Sequence, residues 1–555
     1  MKKPDRVKFV AAMGMAAALV FYAGTGAWAQ LDTDLPGGHL KIQTALETEW
    51  GIHTAGRGNR NNDNNHTPGS GQGFSTDGND VQAAVGRVDT LTTFRGSDDL
   101  ASALWLDNAD VYLHLRFLGD AANLINGPSA YEFGRGAYHT PGQGRYPGDA
   151  WSAYISEHEY EADANEAYID LRKGPVALRL GKQQVVYGEE LGVQTLDQVD
   201  SLNFASVPGF FDIASLEYSD IRIAEWTAKL SYQLPDFSDV GIDNSIITGF
   251  VSPDFQPDYL YGLGQQLNDE PAAEPIGDYG NLRKARNKLV YGAVAATTVY
   301  GVDLTANFYA TPDHVGWFTV APVANPFPKD PFAGQLFLGP AAGPVDFLFQ
   351  RRFSRDFIYG GSASYTVPHL DFLGADVLNG DIFHFSAAYT PHKTFWTASS
   401  IVNSAIKPTR IGEINWTLDG ERYIRWSQKF PSMYLLGEWN YKSRSTVISD
   451  IYEPTIGHKG IQTVVLSLTQ FFPNNIWGAG IVALCDTNVG GNWLMQPSIT
   501  YKPTSNQEYN VFWNFDEGTQ FKTGVGHTSP LAGTGSKLGA YSWLDAIYFR
   551  AIYKM

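Results

Sequence analysis

Apolar and polar residues alternate strictly along several long stretches of this chain. In residues 109–117 the odd positions are apolar and most even positions are ionisable, and residues 222–234 repeat the same division. A period of two indicates a β-strand that presents its two faces to different surroundings. Each stretch is about as long as the 9–11 residues that a tilted strand needs to cross a bilayer. The pattern therefore predicts transmembrane β-strands.

The chain ends in a further strand of this kind. Alternation over residues 547–555 places large apolar side chains on one face. Strands of outer-membrane barrels turn such a face, rich in aromatic rings, toward lipid. The side chains predicted to face lipid are Trp226, Leu230, Tyr232, Phe549 and Tyr553.

The predicted strands are joined by connections that alternate between long and short. The long ones are 51–80, 119–163, 188–220, 253–286 and 311–355, and the short ones are 96–108, 173–176, 235–241 and 300–301. Outer-membrane barrels have short periplasmic turns and long extracellular loops. We therefore predict an all-β fold, a closed antiparallel transmembrane β-barrel of about 16 strands (range 14–18), with long extracellular loops and a plug.

Strand assignment is less regular after residue 367. The later stretches predicted as strands are 380–390, 395–404, 432–442, 461–471, 476–487, 492–502, 506–515 and 542–555.

The first residues read as an export signal. A basic start, an apolar stretch and small residues at Ala27 and Ala29 are typical of a cleaved secretory signal. We expect residues 1–29 to be a signal peptide and residues 30–555 a single barrel domain in the bacterial outer membrane. A soluble secreted enzyme with several domains is the alternative at this length.

Composition excludes some classes of function. The net charge of −18 argues against a nucleic-acid partner, which selects basic surfaces. The single cysteine, Cys485, belongs to no haem-attachment or zinc-binding spacing. The twelve histidines are scattered and no G-x-S-x-G motif is present. We therefore expect no catalytic residues, no cofactor and no metal site, and a protein that is not an enzyme.

Polar side chains on the second face of each strand are candidates for the lining of a lumen. The candidates are Asp110, His114, Arg116, Asp170, Arg172, Arg179, Gln183, Glu225 and Lys229. If residues 173–176 form a tight turn, Asp170 lies opposite Arg179, Tyr168 opposite Gly181 and Glu166 opposite Gln183. Such charged pairs either filter solutes or brace the wall.

Three of the long connections differ from one another in composition, and two of them are polar. The tract 58–80, rich in Asn, Asp and Gly, is predicted to be a solvated loop, with calcium ligation as the alternative. Glu189, Glu190, Asp197 and Asp200 are expected near the outer end of a strand, as a cation or substrate contact.

The segment 321–349 is far more apolar than an exposed loop should be, and large apolar surface patches mark interfaces or ligand grooves. It is predicted to form an entry groove for solute, or a plug in the mouth that packs on itself. The residues assigned to substrate entry are Phe332, Phe337, Phe347 and Phe349.

Residues 178–189 read Leu-Arg-Leu-Gly-Lys-Gln-Gln-Val-Val-Tyr-Gly-Glu and are followed by Asp200, Asn203 and Phe204. This stretch resembles the signature of the DUF1302 family of Gram-negative outer-membrane proteins. The resemblance implies a barrel and a transport function, and the family is often discussed beside transporters of hydrophobic compounds.

Together these observations predict a porin-like channel or transporter that passes hydrophobic or amphipathic small molecules. A general polar-solute porin and a barrel sheath for an electron-transfer cytochrome are the alternatives. The expected partners are outer-membrane lipid and a small-molecule solute, and an envelope transport partner is left open.

Overall fold

The structure is a computed structural model, and it describes residues 30–53, 81–120, 160–188, 195–202, 222–257, 288–314, 317–322, 347–367, 380–395, 409–443, 461–487, 492–517 and 546–555. Strands dominate these residues. One short helix, α1 (Asp98–Ala103), is capped at its N-terminus by Ser97, whose hydroxyl accepts the Leu100 N–H. No helix in the described part of the chain is long and apolar enough to span a membrane.

The strands of the first half are β1 (Gln30–Leu35), β2 (Gly38–His53), β3 (Val81–Gly96), β4 (Asn108–Asp120), β5 (Tyr160–Lys173), β6 (Val176–Gln183), β7 (Ser201–Leu202), β8 (Arg222–Ile223), β9 (Glu225–Gln233), β10 (Ile242–Ser252), β11 (Val290–Val299) and β12 (Val302–Pro312). Those of the second half are β13 (Trp317–Pro322), β14 (Phe347–Arg352), β15 (Arg355–Thr366), β16 (Ile382–Phe395), β17 (Thr409–Ile424), β18 (Met433–Lys442), β19 (Ile461–Phe471), β20 (Trp477–Asp486), β21 (Asn492–Thr504), β22 (Gln507–Glu517) and β23 (Ala546–Lys554).

Eighteen of these strands form a closed antiparallel barrel, which confirms the predicted fold class. The barrel closes between the second strand and the last, where residues 45–53 of β2 pair with β23. The remaining length of that edge of β2 pairs with β1, so β1 and β23 lie end to end. The number of strands is 18, at the upper end of the predicted range and above the expected 16.

One strand was not predicted. The structure has β17 at Thr409–Ile424, and β16 continues to Phe395. The rest of the stretch predicted at 395–404 lies outside the described residues. Alternation in β17 is well defined, since Ile414 and Leu418 are exposed while Glu413 and Thr417 are buried. The prediction missed this strand because glycine stands at 412 and 420 on its outward face, which leaves only three consecutive apolar positions there, Ile414, Trp416 and Leu418.

The two faces of the wall differ as the alternation predicted. Side chains on the outward face are apolar and exposed, including Trp226 at 55%, Leu230 at 52% and Phe549 at 43%. On the opposite face polar side chains are buried, and they include Glu49, Gln183, Glu225, Glu413, Thr417, Gln496, Asn510 and Arg550. Soluble proteins bury apolar groups instead. A closed wall with an apolar outer face is the arrangement of an outer-membrane β-barrel, because only closed pairing satisfies the backbone in lipid.

The lengths of the connections differ between the two ends of the barrel. We call the end with turns such as 174–175, 300–301 and 505–506 the turn end, and the opposite end the loop end. At 300–301 both Tyr300 and Gly301 have positive φ, as a two-residue hairpin turn requires. The predicted alternation is confirmed for the first half of the chain. Two later connections depart from it: 367–381 is long at the turn end, and 487–491 is short at the loop end.

The connection 311–355 was predicted to be a loop throughout, and part of it is not. β12 extends to Pro312, and β13 pairs with β14 in a separate two-stranded sheet. The tract 58–80 and the signal-like residues 1–29 lie outside the described residues.

Candidate functional site in the barrel interior

The best-defined charged pair on the inner face is the one predicted from the hairpin register. Asp170 lies opposite Arg179, and the guanidinium donates two hydrogen bonds of 2.7 Å each to the carboxylate. The same guanidinium lies 4.1 Å from the ring centre of Tyr168, which stacks on Tyr112 at 4.7 Å. Two parallel hydrogen bonds and a cation–π contact together restrict the guanidinium to one orientation.

Of the two other predicted pairs, the one between Tyr168 and Gly181 is confirmed, and the one between Glu166 and Gln183 is not observed. Tyr168 lies opposite Gly181, and pairing continues to Ala167 and Lys182. Beyond that point the strands separate, and Glu166 accepts the backbone N–H of Gln184 at 3.1 Å.

His114 and Arg116 belong to a second network. Asp89 accepts from His114 Nε2 at 2.9 Å and from Arg116 Nε at 3.3 Å, and it also pairs with Arg87. Sequence reasoning missed Asp89 because it lies 25 residues before His114 and meets it only through the register of β3 and β4. Opposite charges meet here in direct contact, so the network braces the wall.

Gln183 and Glu225 are the most buried of the predicted lumen residues, at 0% and 1% exposure. The Gln183 amide donates to the Thr227 carbonyl at 2.9 Å. The Glu225 carboxylate accepts from Ser252 Oγ at 2.9 Å and from the Gln256 N–H at 2.8 Å. These bonds tie neighbouring strands and the chain after β10 together.

The remaining predicted residues lie closer to the turn end. Asp110 accepts from the Asn108 amide at 2.8 Å. Arg172 is exposed at the end of β5, and Lys229 lies opposite Arg179 in the register of β6 and β9. Together with Asp170, these residues place both charge signs on one side of the interior.

Residues 195–202, which we call the inner segment, lie inside the barrel against the wall. Leu196 and Val199 are each 1% exposed, and they pack with Phe250, Val294, Tyr309 and Ile358 of the wall. Ile358 lies between the outward side chains of Phe357 and Tyr359, so this cluster lies inside the barrel. The inner segment fills part of the interior, as expected of a plug.

Polar contacts fix the inner segment to distant strands. Thr195 Oγ1 lies 2.6 Å from Thr417 Oγ1 on β17. Leu196 packs where Gly360 has no side chain, and a Cβ on that glycine would overlap it. The Gln198 carbonyl lies 3.0 Å from His314 Nε2. The segment therefore spans the interior from β6 to β17.

Asp197 and Asp200 are buried in this segment and do not form the exposed contact that was predicted. Asp197 pairs with Arg222, and Asp200 accepts the Val185 N–H at 2.6 Å. Burial, with the nearby Asp197 charge, raises the pKa of Asp200 well above its usual value. Both carboxyls thus hold the segment in place. Glu189 and Glu190 lie outside the described residues.

Ser201 and His314 form a contact that sequence reasoning could not find, because 113 residues separate them. Ser201 Oγ lies 2.5 Å from His314 Nδ1 and also contacts the Gln256 carbonyl. A serine and a histidine at this distance resemble part of a hydrolase site. Ser201 is fully buried, however, so its hydroxyl fastens the inner segment and is closed to a substrate.

The residues predicted for substrate entry are not described at the level of side chains. Phe347 and Phe349 lie on β14, which pairs with β13, and only their backbone is described. Phe332 and Phe337 lie outside the described residues. Their role in entry stays a prediction.

The Asp170 and Arg179 pair gives a first testable expectation. Replacing either residue with alanine leaves its partner unpaired in a half-buried site, so the two changes should be less than additive. We expect a coupling of about 1 kcal/mol in a double-mutant cycle on the free energy of unfolding. The matched cycle is Lys173 and Asp107, an exposed pair 2.8 Å apart, whose coupling should be much weaker because water surrounds both charges. Equal coupling in both cycles would show that the inner pair is fully solvated.

Comparison with known families gives a match over nearly the whole chain. The family described as "Protein of unknown function (DUF1302)" matches residues 10–529. No curated protein sequence matches the chain.

Solved structures similar to this one match at low sequence identity and include outer-membrane proteins. OccK9 (OpdG) of Pseudomonas aeruginosa is 9% identical with a TM-score of 0.39, and the match covers 93% of this chain and 97% of that one. OccK5 (OpdH) of the same organism is 7% identical with a TM-score of 0.38 and the same coverage. OmpF of Salmonella typhi, solved with daunomycin, is 10% identical with a TM-score of 0.35, over 95% of this chain and 100% of that one.

Proposed function

Because this chain belongs to the DUF1302 family and folds as an outer-membrane β-barrel, we propose that it is a channel that passes hydrophobic or amphipathic small molecules. The channel role rests on the barrel with its charged inner face. The choice of solute rests on one feature of the wall, between β5 and β9, which supports sideways passage between the interior and the lipid.

The observation that supports sideways passage is an unpaired strand edge in the loop-end half of the wall. β5 pairs with β4 from Tyr160 to Arg172, but with β6 only from Ala167 to Lys173. β6 ends at Gln183, and the chain then turns inward, so that Val185 is buried in the interior cluster. Within the described residues no other strand pairs with the free edge of 160–166.

Side chains replace the missing backbone pairing at this edge. Lys182 Nζ donates to Asp163 Oδ2 at 2.5 Å and to the Ala164 carbonyl at 2.7 Å. A few side-chain bonds separate more easily than a continuous ladder, since each is worth about 1 kcal/mol. We propose that this lysine closes a lateral opening and releases it when solute passes.

The border of the edge suits an apolar solute. On the outward face Leu115 and Phe117 of β4 are 44% and 53% exposed, and Trp226 of β9 is 55% exposed. A solute leaving here meets lipid and apolar side chains, and so avoids the free-energy cost of exposing its apolar surface to water. A purely polar solute gains nothing from such an exit.

Replacing Lys182 tests the proposal. Lys182→Met keeps the length of the side chain but removes its donors, so we expect flux of a long-chain fluorescent compound to rise several-fold. The measurement uses vesicles with lipopolysaccharide in the outer leaflet. Lys173→Met, which breaks an exposed ion pair at the turn end, is the matched control and should leave flux unchanged.

Swelling of the same vesicles in a disaccharide measures the passage of a polar solute. This swelling should be the same for Lys182→Met as for wild type. Unchanged flux of the long-chain compound would refute the lateral route. Disaccharide entry that rises as much as the long-chain compound would instead support the second candidate, a polar-solute porin. That candidate draws support from the opposed charges of Asp170, Arg179 and Lys229 on the inner face.

A further inference from the structure

The inner face carries a group of side chains that the proposed channel function does not use. His384 on β16 lies opposite Asp419 on β17, and Glu421 follows two residues later on the same face. One donor atom from each of the three lies within 4.8 Å of the others. His384 Nε2 and Glu421 Oε1 are 3.9 Å apart.

The spacing suits a metal ion. Ligands bound at about 2.0–2.2 Å around one ion lie about 3–3.5 Å from each other, so small side-chain rotations would bring these donors into place. Two neighbouring strands fix the positions. The register sets His384 against Asp419, and the alternation of β17 points Asp419 and Glu421 to the same side.

Negative charge is concentrated around this group. Asp419 lies opposite Glu438 of β18, and the two are 5% and 2% exposed. Like charges directly opposite in a sheet are destabilising, and burial strengthens their repulsion. The Asn440 amide donates to Glu438 at 2.5 Å, and the Tyr434 hydroxyl hydrogen-bonds to Glu421. These two bonds orient the carboxylates of Glu438 and Glu421. A divalent cation would relieve the repulsion.

We propose that His384, Asp419 and Glu421 form a binding site for a divalent transition metal on the inner wall near the turn end. One imidazole and two carboxylates favour zinc, manganese or cobalt, because calcium and magnesium prefer oxygen ligands alone. The hydrogen bond from the Tyr434 hydroxyl orients Glu421 as a ligand. The zinc-type spacing sought in the sequence is absent because the ligands come from two strands and are 35 residues apart.

The test is titration of the refolded full-length protein, prepared without a histidine tag, with zinc chloride in detergent. We expect one zinc per chain by calorimetry. Cobalt should give a visible absorption band from imidazole and carboxylate ligation. His384→Ala and Asp419→Asn should each lower zinc affinity at least tenfold.

His114→Gln is the matched control, since His114 also contacts a carboxylate, Asp89, but lies beside two arginines. It should leave zinc affinity unchanged. Circular dichroism and heat-modifiable electrophoresis establish that each variant folds. Wild-type protein without stoichiometric zinc binding would overturn the proposal, and so would His384→Ala and Asp419→Asn variants that fold and bind zinc like wild type. Neither outcome bears on the lateral route, which is measured by solute flux.

Discussion

Leu466→Arg should destabilise the barrel by about 2–4 kcal/mol in folding titrations in lipid vesicles. Leu466 lies at the centre of β19 and is 52% exposed on the outward face, between the buried side chains of Val465 and Ser467. At this depth an arginine must bring its charge into hydrocarbon or pull the lipid surface inward, and both raise the free energy of the folded state.

Leu466→Met is the matched control. Methionine keeps an apolar side chain of similar volume against lipid, so the free energy of unfolding should change by less than about 0.5 kcal/mol. If arginine proves as well tolerated as methionine, the outward face does not meet hydrocarbon at this depth, and the membrane orientation of the wall is wrong.

Gly181→Ala should be the second large effect, with a loss of stability of about 1–3 kcal/mol from backbone strain and a further loss from steric overlap. Gly181 has φ of +140°, a conformation that side chains rarely adopt. A Cβ there would overlap the Ala167 carbonyl and approach Tyr168 Cα to 2.6 Å. Gly181 lies two residues before the end of β6, after which the chain turns inward.

Gly249→Ala on β10 is the control, because a Cβ at that position meets no atom closer than 4.0 Å. Its effect on stability should be within about 0.5 kcal/mol. Gly181→Ala should also weaken the attachment of the inner segment, which proteolysis of the folded protein near residues 195–202 would detect. Stability equal to wild type would mean that the positive φ of Gly181 and the close approach of Ala167 are not required for the fold.

Alternation made most of the fold predictable. Each wall strand repeats the same local choice between lipid and interior, so a period of two identifies strands such as β4 and β9 without knowledge of their neighbours. It missed β17, where glycine at 412 and 420 interrupts the apolar outward face. It also could not fix the number of strands, because that number depends on every segment being assigned.

The interior was less predictable. The hairpin of β5 and β6 gave the pairing of Asp170 with Arg179, because a tight turn fixes register locally. The inner segment was missed, since its burial depends on contacts with Thr417, Gly360 and His314, which are far away in sequence. For the same reason Asp197 was predicted to belong to a cation or substrate contact, while the structure buries it in an ion pair with Arg222.

The central claim is that this barrel passes apolar or amphipathic solutes. The most direct measurement is the entry of a long-chain fluorescent compound and of a disaccharide into lipopolysaccharide-containing vesicles that hold increasing amounts of wild-type protein. We predict that entry of the long-chain compound rises in proportion to the protein while entry of the disaccharide rises little. Disaccharide entry that follows the protein content, with entry of the long-chain compound unchanged from protein-free vesicles, would contradict the account.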